Sequence, residues 1–438
     1  MLLENLDRIK LSTTKTALTS FAGVPLLWGM AQSLGIVEGL NALGIKERER
    51  GYAAGEVGLT LMGLVQAGGE SLDDIALLRE DEGLRQMMGG LPAANTLGEW
   101  LRRFKGESRK ALEDLVIETA VKVIGATGLK RVTLDVDAFF RPSQKWNAGM
   151  NYEGLWGYCP MAITCAERKM PVAGLFRPGE ASPMAHIAEL LERVLRKMKK
   201  TCPGVLVELR SDSAGYQAKV VRVCERYGAG FTITARKDAA VVSTIQSIPQ
   251  KAWERFDDVA WQGRATEIAE TVHAFGDSDL QAHRLIVLRW AKKTRELWDL
   301  EPHEYHAIFV SDDQKPAGLL VQFHRNRQDK SENVNKELSQ NGVGKWPCRK
   351  MRANAAYFQM VLLAHIVTAA FKHWVLPSGW EMLTMKTLRF RMIRLAGIVQ
   401  RHARSLWLKI PERYLYREVF EAARYRVIGV ACEMASTG

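Results

Sequence analysis

The spacing of apolar positions changes about a third of the way along the chain. Residues 1–128 carry apolar side chains at the three- and four-residue spacing of helices. Thr96 and Glu99 predict a capping box at one helix start, and Ser71 with Asp74 indicates another. We therefore expect a helical N-terminal domain.

The segment that follows has the alternation of a β-strand. In RVTLDVDAFF, three apolar residues alternate with Thr133, Asp135 and Asp137, so both carboxylates should point to the same face. Further patterns predict strands at 159–165 and 170–176, a helix at 187–198, a strand at 205–210, a helix at 220–227 and a strand at 230–236. This order predicts an α/β fold with a mixed sheet flanked by helices, the first three strands forming a meander.

Later segments differ again. Short strand-like runs with several tryptophans occupy residues 237–304 and predict a β-rich inserted subdomain. Strand character then returns, and a helix begins near Ser331. The apolar run 355–370 is interrupted by Gln359 and His365 and is short for a bilayer, so it predicts a buried helix and no membrane span.

Composition narrows the class of protein. The chain has 438 residues, 47% of them hydrophobic, which predicts several packed domains and excludes a disordered polymer. Its six cysteines form no Cys-x-x-Cys pair, so a zinc site is not expected, and they are typical of reduced thiols in a cytosol. The N-terminal segment shows no export signal.

The charge is concentrated near the C-terminus. The chain has 61 Lys+Arg and 49 Asp+Glu, a net charge of +12, and the segment 386–426 alone contributes +8. A concentrated basic surface attracts polyanions, although a solvated helix face has the same composition. Nucleic acid and a merely solvated face both remain possible at this point.

Three acids are candidates for chemistry. Asp137 lies near the end of its strand, Asp212 follows the end of the strand VLVELR, and Glu332 lies in the later helix. Carboxylates without a Cys or His cage suit Mg²⁺ or Mn²⁺, and two such ions can promote phosphodiester chemistry. Spacing alone leaves solvated surface acids as the alternative.

Longer motifs connect these acids to a known family. The segments LDVDA, LFRPGE, LRSDSAGY, HRNRQDKSENVNKEL, MRANAAYFQMVLLAHIV and KTLRFRMIRLAG resemble, in this order, the DDE transposases of bacterial insertion sequences. The resemblance runs from about Thr133 to Arg426 and is strongest around Asp212 and Glu332. It implies an RNase H-like catalytic core interrupted by a β-rich insertion before the last acid.

The resemblance also implies roles for individual residues. Asp137, Asp212 and Glu332 are expected as the catalytic acids that hold two Mg²⁺ ions per active site, with Mn²⁺ able to substitute. Arg327, Lys336 and His324 are expected to contact phosphate, and His324 stands where the family has a tyrosine. Asp135 is then a supporting group behind the metal ligands or a paired surface acid.

Other expected contacts involve DNA. The basic residues expected to bind the terminal inverted repeats and the target duplex are Arg102, Arg103, Arg389, Arg391, Arg401 and Arg404. The last four arginines lie in a segment whose apolar residues are predicted to form one buried stripe of a helix: Leu388, Met392, Leu395 and Val399. Trp261, Trp290 and Trp298 are candidates for stacking on an unpaired base, with core packing as the alternative. We expect a homodimer on DNA in the bacterial cytoplasm, associated with the nucleoid.

The resulting expectation is a DNA transposase. Its predicted parts are a helical N-terminal end-binding domain (1–128), a first part of the catalytic core (129–236), the β-rich insertion (237–304), a second part of the core (305–385) and a basic helical C-terminal region (386–438). Two alternatives remain at this point: a catalytically inactive DNA-binding relic or regulator, and a stand-alone nuclease of the same fold.

Overall fold

The computed structural model describes residues 9–45, 51–256, 266–277, 279–292 and 301–436. Its α-helices are α1 (Val24–Ser33), α2 (Ile36–Asn41), α3 (Ala54–Ala67), α4 (Ile75–Arg79), α5 (Glu82–Met88), α6 (Ala94–Arg103), α7 (Gly106–Gly125), α8 (Ile187–Thr201), α9 (Ala218–Tyr227), α10 (Ala239–Gln246), α11 (Ala317–Gln340), α12 (Met351–Ala370), α13 (Met385–Leu388) and α14 (Arg417–Ser436). Its strands are β1 (Leu18–Thr19), β2 (Arg131–Ala138), β3 (Arg141–Pro142), β4 (Gly149–Met150), β5 (Trp156–Tyr158), β6 (Met161–Cys165), β7 (Met170–Leu175), β8 (Leu206–Ser211), β9 (Gly230–Thr234), β10 (Glu254–Phe256), β11 (Thr266–His273), β12 (His283–Ala291), β13 (His303–Val310), β14 (Gly397–His402) and β15 (Ser405–Lys409).

A nine-stranded mixed sheet organises the molecule. Its strand order is β10-β11-β12-β13-β9-β8-β2-β6-β7. Strands β2, β8 and β9 run parallel, whereas the other neighbours are antiparallel. The predicted succession of strands and helices between β2 and β9 is therefore confirmed. The carboxyl ends of the three parallel strands lie together, along the edge of the sheet at which these strands end.

The predicted β-rich insertion is not a separate subdomain. It begins with a helix, α10, and its strands continue the main sheet because β13 pairs with β9 along Ile308–Thr234 to Val310–Thr232. The short apolar runs were correct as strands. Strands β10, β11 and β12 pair with near neighbours in the sequence, but the link to the core is the pairing of Ile308 in β13 with Thr234 in β9, a long-range contact that local pattern does not reveal.

The predicted N-terminal boundary at residue 128 is also not a packing boundary. One hydrophobic core runs from Phe21 in the N-terminal part to Val427 in α14 and includes the sheet and α12. The predicted start at Ser71 is confirmed, since Asp74 accepts a hydrogen bond from the Ser71 amide. The predicted capping box at Thr96 is wrong, because α6 already begins at Ala94.

Helix α12 lies at the centre of this core. It continues through a π-helical turn, and its span Met351–Val375 is long and apolar enough to cross a membrane, yet it is fully covered by the rest of the protein. Gln359 makes its polar bond inside the core, donating to the Gly174 carbonyl of β7 at 2.9 Å. The prediction of a buried helix is confirmed.

The predicted helical C-terminal region is only partly helical. The stripe residues Leu388, Met392, Leu395 and Val399 are buried, but the helix ends in a π-helical turn at Ile393 and Val399 lies in β14. Strands β14 and β15 form a hairpin, and β14 also pairs with β1 near the other end of the chain. The long-range β1 pairing favours a strand where local spacing predicted a helix.

Candidate active site

Two acids leave the sheet together at the carboxyl ends of parallel strands. The last paired residues of β2 and β8 are Val136 and Ser211. Asp137 and Asp212 follow them, and their proximity is felt electrostatically because Asp212 raises the pKa of Asp137. The site therefore lies where α/β sheets commonly bind ligands.

The side chain of Asp137 is held in place by helix α11. Asn335 of α11 donates its side-chain amide to Asp137 Oδ2 at 2.8 Å. Burial and the nearby Asp212 raise the pKa of Asp137 to about 6, against the opposing effect of the Arg327 guanidinium. A cation near Asp137 would stabilise the ionised form of its carboxylate, because opposite charges attract.

A short 3₁₀ turn fixes Asp212. Its Oδ1 accepts a hydrogen bond from the Ala214 amide at 2.9 Å at the start of the turn Ser213–Gly215. Gly215 is required by packing, since a Cβ there would lie 2.4 Å from Ser211 Oγ. The backbone geometry that aims Asp212 is thus encoded locally by its sequence.

Asp135 has a structural partner. Both of its oxygens accept bonds from Arg210, at 2.7 and 2.8 Å, and both side chains are almost fully buried. Arg210 also donates to the Phe323 carbonyl at 2.7 Å. Asp135 was predicted to be either a group behind the metal ligands or a paired acid on the surface. It is paired, but the pair is buried, and it connects α11 to β2 and β8.

Helix α11 carries the remaining predicted residues, and Arg327 lies close enough to Asp137 to lower its pKa. Arg327 is half-buried and Lys336 is exposed, on the same helix as Asn335. Glu332 lies in α11 one helical turn before Asn335, although its side chain is outside the part of the chain whose side chains the structure describes. Asn335 was not predicted; its spacing of three residues from Glu332 was the available signal.

His324 does not face solvent, which corrects its predicted phosphate contact. Its ring lies 2.9 Å from Thr234 Oγ1 and 3.2 Å from Thr232 Oγ1 of β9, and it is buried. Burial lowers its pKa to about 3, so the ring is neutral near pH 7. It joins α11 to the sheet and offers no charge to an anion.

The predicted basic residues divide by exposure. Arg102, Arg401 and Arg404 are exposed, and Arg103 is half-buried. Arg389 instead donates to two backbone carbonyls of α3 and to Asn341 Oδ1 at 2.8–3.1 Å. Its predicted DNA contact is corrected to a role in packing.

Arg391 is also engaged with neighbouring side chains. Its guanidinium lies over the rings of Trp380 and Tyr416, 6.0 and 5.4 Å from their centroids. Such cation–π contacts hold the side chain against the protein. Arg391 is therefore less available to DNA than the arginines of the hairpin.

Of the three tryptophans predicted for base stacking, Trp290 lies within the described residues. It is at the same end of the sheet as Asp137 and Asp212, three strands from β8, because β12 and β13 continue past the carboxyl end of β9. Its ring packs against a small apolar cluster that includes residues of α11, and its Nε1 donates to Glu304 at 2.7 Å. This arrangement corresponds to the core-packing alternative. Trp261 and Trp298 lie outside the described residues.

The donor atoms at the site suit a hard divalent cation. Asp137 and Asp212 supply carboxylate oxygens, and the buried Oδ1 of Asn335 has no hydrogen-bond partner. Among the side chains that the structure describes, no three His, Cys, Asp or Glu residues form a group that could hold a metal ion. The side chain of Glu332 is not among the described ones. Oxygen ligands without sulfur or imidazole are typical of sites for such cations.

One solved structure is similar to this chain over most of its length. Among solved structures, the chain is similar to one described as the piggyBac transposase synaptic complex with hairpin DNA, with a TM-score of 0.40 and 13% sequence identity over 87% of this chain and 83% of that chain. No curated protein matches the chain.

The family comparison covers nearly the whole sequence. The family model described as "Transposase DDE domain group 1" matches residues 3–429. That range contains Asp137, Asp212 and α11 together with the helices and hairpin around them. The chain therefore belongs to the DDE transposases, the enzymes that cleave DNA and transfer its strands.

Proposed function

We propose that this chain is the transposase of a bacterial insertion sequence and that Asp137, Asp212 and Glu332 are its catalytic acids. The observation that carries the proposal is the meeting of Asp137 and Asp212 at adjacent strand ends, with Asn335 of α11 bonded to Asp137. Glu332 precedes Asn335 by one helical turn. The order β7-β6-β2-β8-β9, an antiparallel meander followed by parallel strands, supports an RNase H-like core.

The three acids would hold two Mg²⁺ ions, for which Mn²⁺ could substitute. When bound, these ions promote attack by water or by a freed 3′ hydroxyl on a phosphodiester and stabilise the leaving oxygen. Asn335 keeps the Asp137 carboxylate oriented through its 2.8 Å bond. Arg327 lowers the local negative potential, and with Lys336 it offers positive charge to the phosphate that reacts.

Exposed cations would hold the DNA duplex. Arg102 on α6 and the hairpin residues Arg401 and Arg404 are solvent-exposed, and each can neutralise a phosphate of the terminal inverted repeats or target. Joining two ends requires two active sites, which supports a homodimer on DNA. The proposal places this reaction at the nucleoid of a bacterial cytoplasm.

The isosteric variants Asp212→Asn and Glu332→Gln test the proposal. Each should abolish cleavage and joining of an end-bearing duplex in Mg²⁺, because an amide is a far weaker cation ligand than a carboxylate. End binding should stay close to that of the unmodified protein, since neither acid is expected to hold DNA. Gel assays of nicking, strand transfer and binding measure the three steps separately.

Asp313→Asn is the matched control, because Asp313 is exposed at the opposite end of the sheet and should retain full activity. Cleavage at the unmodified rate by Asp212→Asn or Glu332→Gln would overturn the assignment. Binding without any metal-dependent nicking by the unmodified chain would favour an inactive regulator. Nicking without strand transfer would favour a stand-alone nuclease.

A further inference from the structure

An exposed tryptophan is held rigidly near the catalytic edge of the sheet. Trp146 is 72% exposed, yet its backbone is fixed on two sides. The buried Tyr158 donates its hydroxyl to the Trp146 carbonyl at 2.8 Å, and Trp146 forms a β-bridge with Lys350 before α12. An exposed indole on a fixed backbone is preorganised for contact with a flat partner.

The turn that carries Trp146 is itself well defined. The Ala148 amide donates to the Lys145 carbonyl at 3.0 Å, which closes a four-residue turn. Asn147 in this turn has a φ of 62°, a left-handed conformation that asparagine tolerates better than most residues. The sequence therefore specifies the exposed position of the indole.

Cations surround the indole. A cavity of about 410 Å³ is lined by Trp146, Asn147, Arg109, Lys350, Met351, Arg352 and Ala355, with no acidic side chain among these residues. The first turn of α12 also lacks acids, so its N-terminal dipole adds to the positive potential. Arg109 has only a loose contact, 3.8 Å, with Glu113. We call this cavity the Trp146 pocket.

The ribbon that carries Trp146 follows the end of β2 at which the catalytic acids lie. The ribbon formed by β3, β5 and β4 grows from the end of β2 immediately after Asp137, and the Phe139 amide bonds to the Pro160 carbonyl at its base. A strand of substrate held at the acids can therefore continue along the ribbon toward Trp146.

The chemistry of the pocket selects a nucleotide with an exposed base. Arginine and lysine side chains attract phosphate, while an indole offers a face on which any base can stack. In an intact duplex each base is stacked between its neighbours, so a base face is accessible to the indole only at the ends of the duplex. An ordinary duplex contact would use the cations and leave the indole without a function.

We propose that the Trp146 pocket binds an unpaired nucleotide of a DNA strand, with the base stacked on Trp146 and the backbone phosphates on Arg109, Lys350 and Arg352. The inference rests on the proposed function only in taking DNA as the substrate. It adds a binding site for single-stranded DNA apart from the metal-binding acids.

Binding of a short oligothymidylate in EDTA tests the inference without any catalytic step. Trp146→Ala should weaken this binding about tenfold, and Trp146→Phe should retain most of it, because stacking needs an aromatic face. Arg352→Gln should lower the salt dependence by about 0.7 in the log-log slope, the share of one phosphate on a single strand. A strand carrying 2-aminopurine should show fluorescence quenching that Trp146→Ala removes.

Trp156→Ala is the matched control, because Trp156 is an exposed tryptophan of the same ribbon outside the pocket lining. It should bind the oligonucleotide like the unmodified protein. Equal losses in Trp146→Ala and Trp156→Ala, or no loss in Trp146→Ala, would overturn the inference. Loss of cleavage in Asp212→Asn beside unchanged strand binding in Trp146→Ala would leave the proposed function standing and remove only this site.

Discussion

At the scale of single residues, the buried pair of Asp135 and Arg210 makes a sharp prediction. Asp135→Ala should lower the free energy of unfolding by about 3–5 kcal/mol, because it leaves the Arg210 guanidinium buried without its counter-charge. Raising the concentration of divalent cation should not restore activity, since the loss concerns the placement of α11. Denaturant titration measures the first effect and a metal series measures the second.

Asp135→Asn is the comparison variant, because it preserves the shape and part of the hydrogen bonding. It should be less destabilising than Asp135→Ala. Unchanged stability in Asp135→Ala, or full recovery of its activity at high metal concentration, would instead make Asp135 a group that supports the metal ligands.

The two aspartates of β2 also show what sequence could and could not predict. Strand alternation correctly placed Asp135 and Asp137 on one face, because the period of a strand is local. Their different roles depend on Arg210 and Asn335, which lie 75 and 198 residues away in the chain. No local pattern encodes which acid receives a buried guanidinium and which remains open to a cation.

At the scale of elements, the β14–β15 hairpin changes the prediction for the basic C-terminal region. Replacing Arg401 and Arg404 with Gln should reduce the salt dependence of duplex binding by about 1.8 in the log-log slope, roughly 0.9 per phosphate. The fold should be unaffected, since both side chains are exposed. Binding isotherms across a range of salt concentrations measure the slope.

Arg389→Gln serves as the contrasting variant. It should destabilise the protein, because Arg389 bonds to the carbonyls of Val65 and Gln66 and to Asn341. A slope unchanged by the hairpin substitutions would return Arg401 and Arg404 to the solvated-face alternative.

The hairpin also explains a limit of periodicity. Helical spacing of apolar residues extended through the segment, and the first three stripe residues do pack as predicted. Gly397 then allows a close approach, since a Cβ there would lie 2.8 Å from a methyl group of Leu408. Pairing of β14 with β1 joins the two ends of the chain, and such a contact is invisible to a window of local sequence.

At the scale of the whole molecule, the predicted domains merge into one packed body. The pattern identified most elements because each one buries a face with its own period. It placed boundaries at residues 128 and 237 because the spacing of apolar residues changes at both positions. The structure packs across both positions, through the shared core and through β13, so changes in local periodicity do not coincide with changes in packing.

Buried histidines make the stability of this packed body depend on pH. Burial lowers the pKa values of His306 and His365 to about 4 and that of His324 to about 3. As the pH falls below about 6.5, the unfolded chain takes up protons that the folded chain excludes, so stability should decrease. Asp137 acts in the opposite direction, because its folded pKa of about 6 lies above its unfolded value.

His273 and His373 also have pKa values lowered by burial, and Asp135, like Asp137, has its pKa raised by burial. Because the histidines outnumber the two carboxyls, stability should fall with a measurable slope between roughly pH 6 and 5. His365→Gln should flatten this slope by about 1.4 kcal/mol per pH unit, because it removes one proton while an amide can still donate to the Asn341 carbonyl. His402→Gln, at an exposed hairpin position, is the control and should leave the slope as it is. Denaturant unfolding in EDTA at several pH values measures all three proteins, and equal slopes in His365→Gln and the unmodified chain would show that the His365 ring accepts its proton in the folded state.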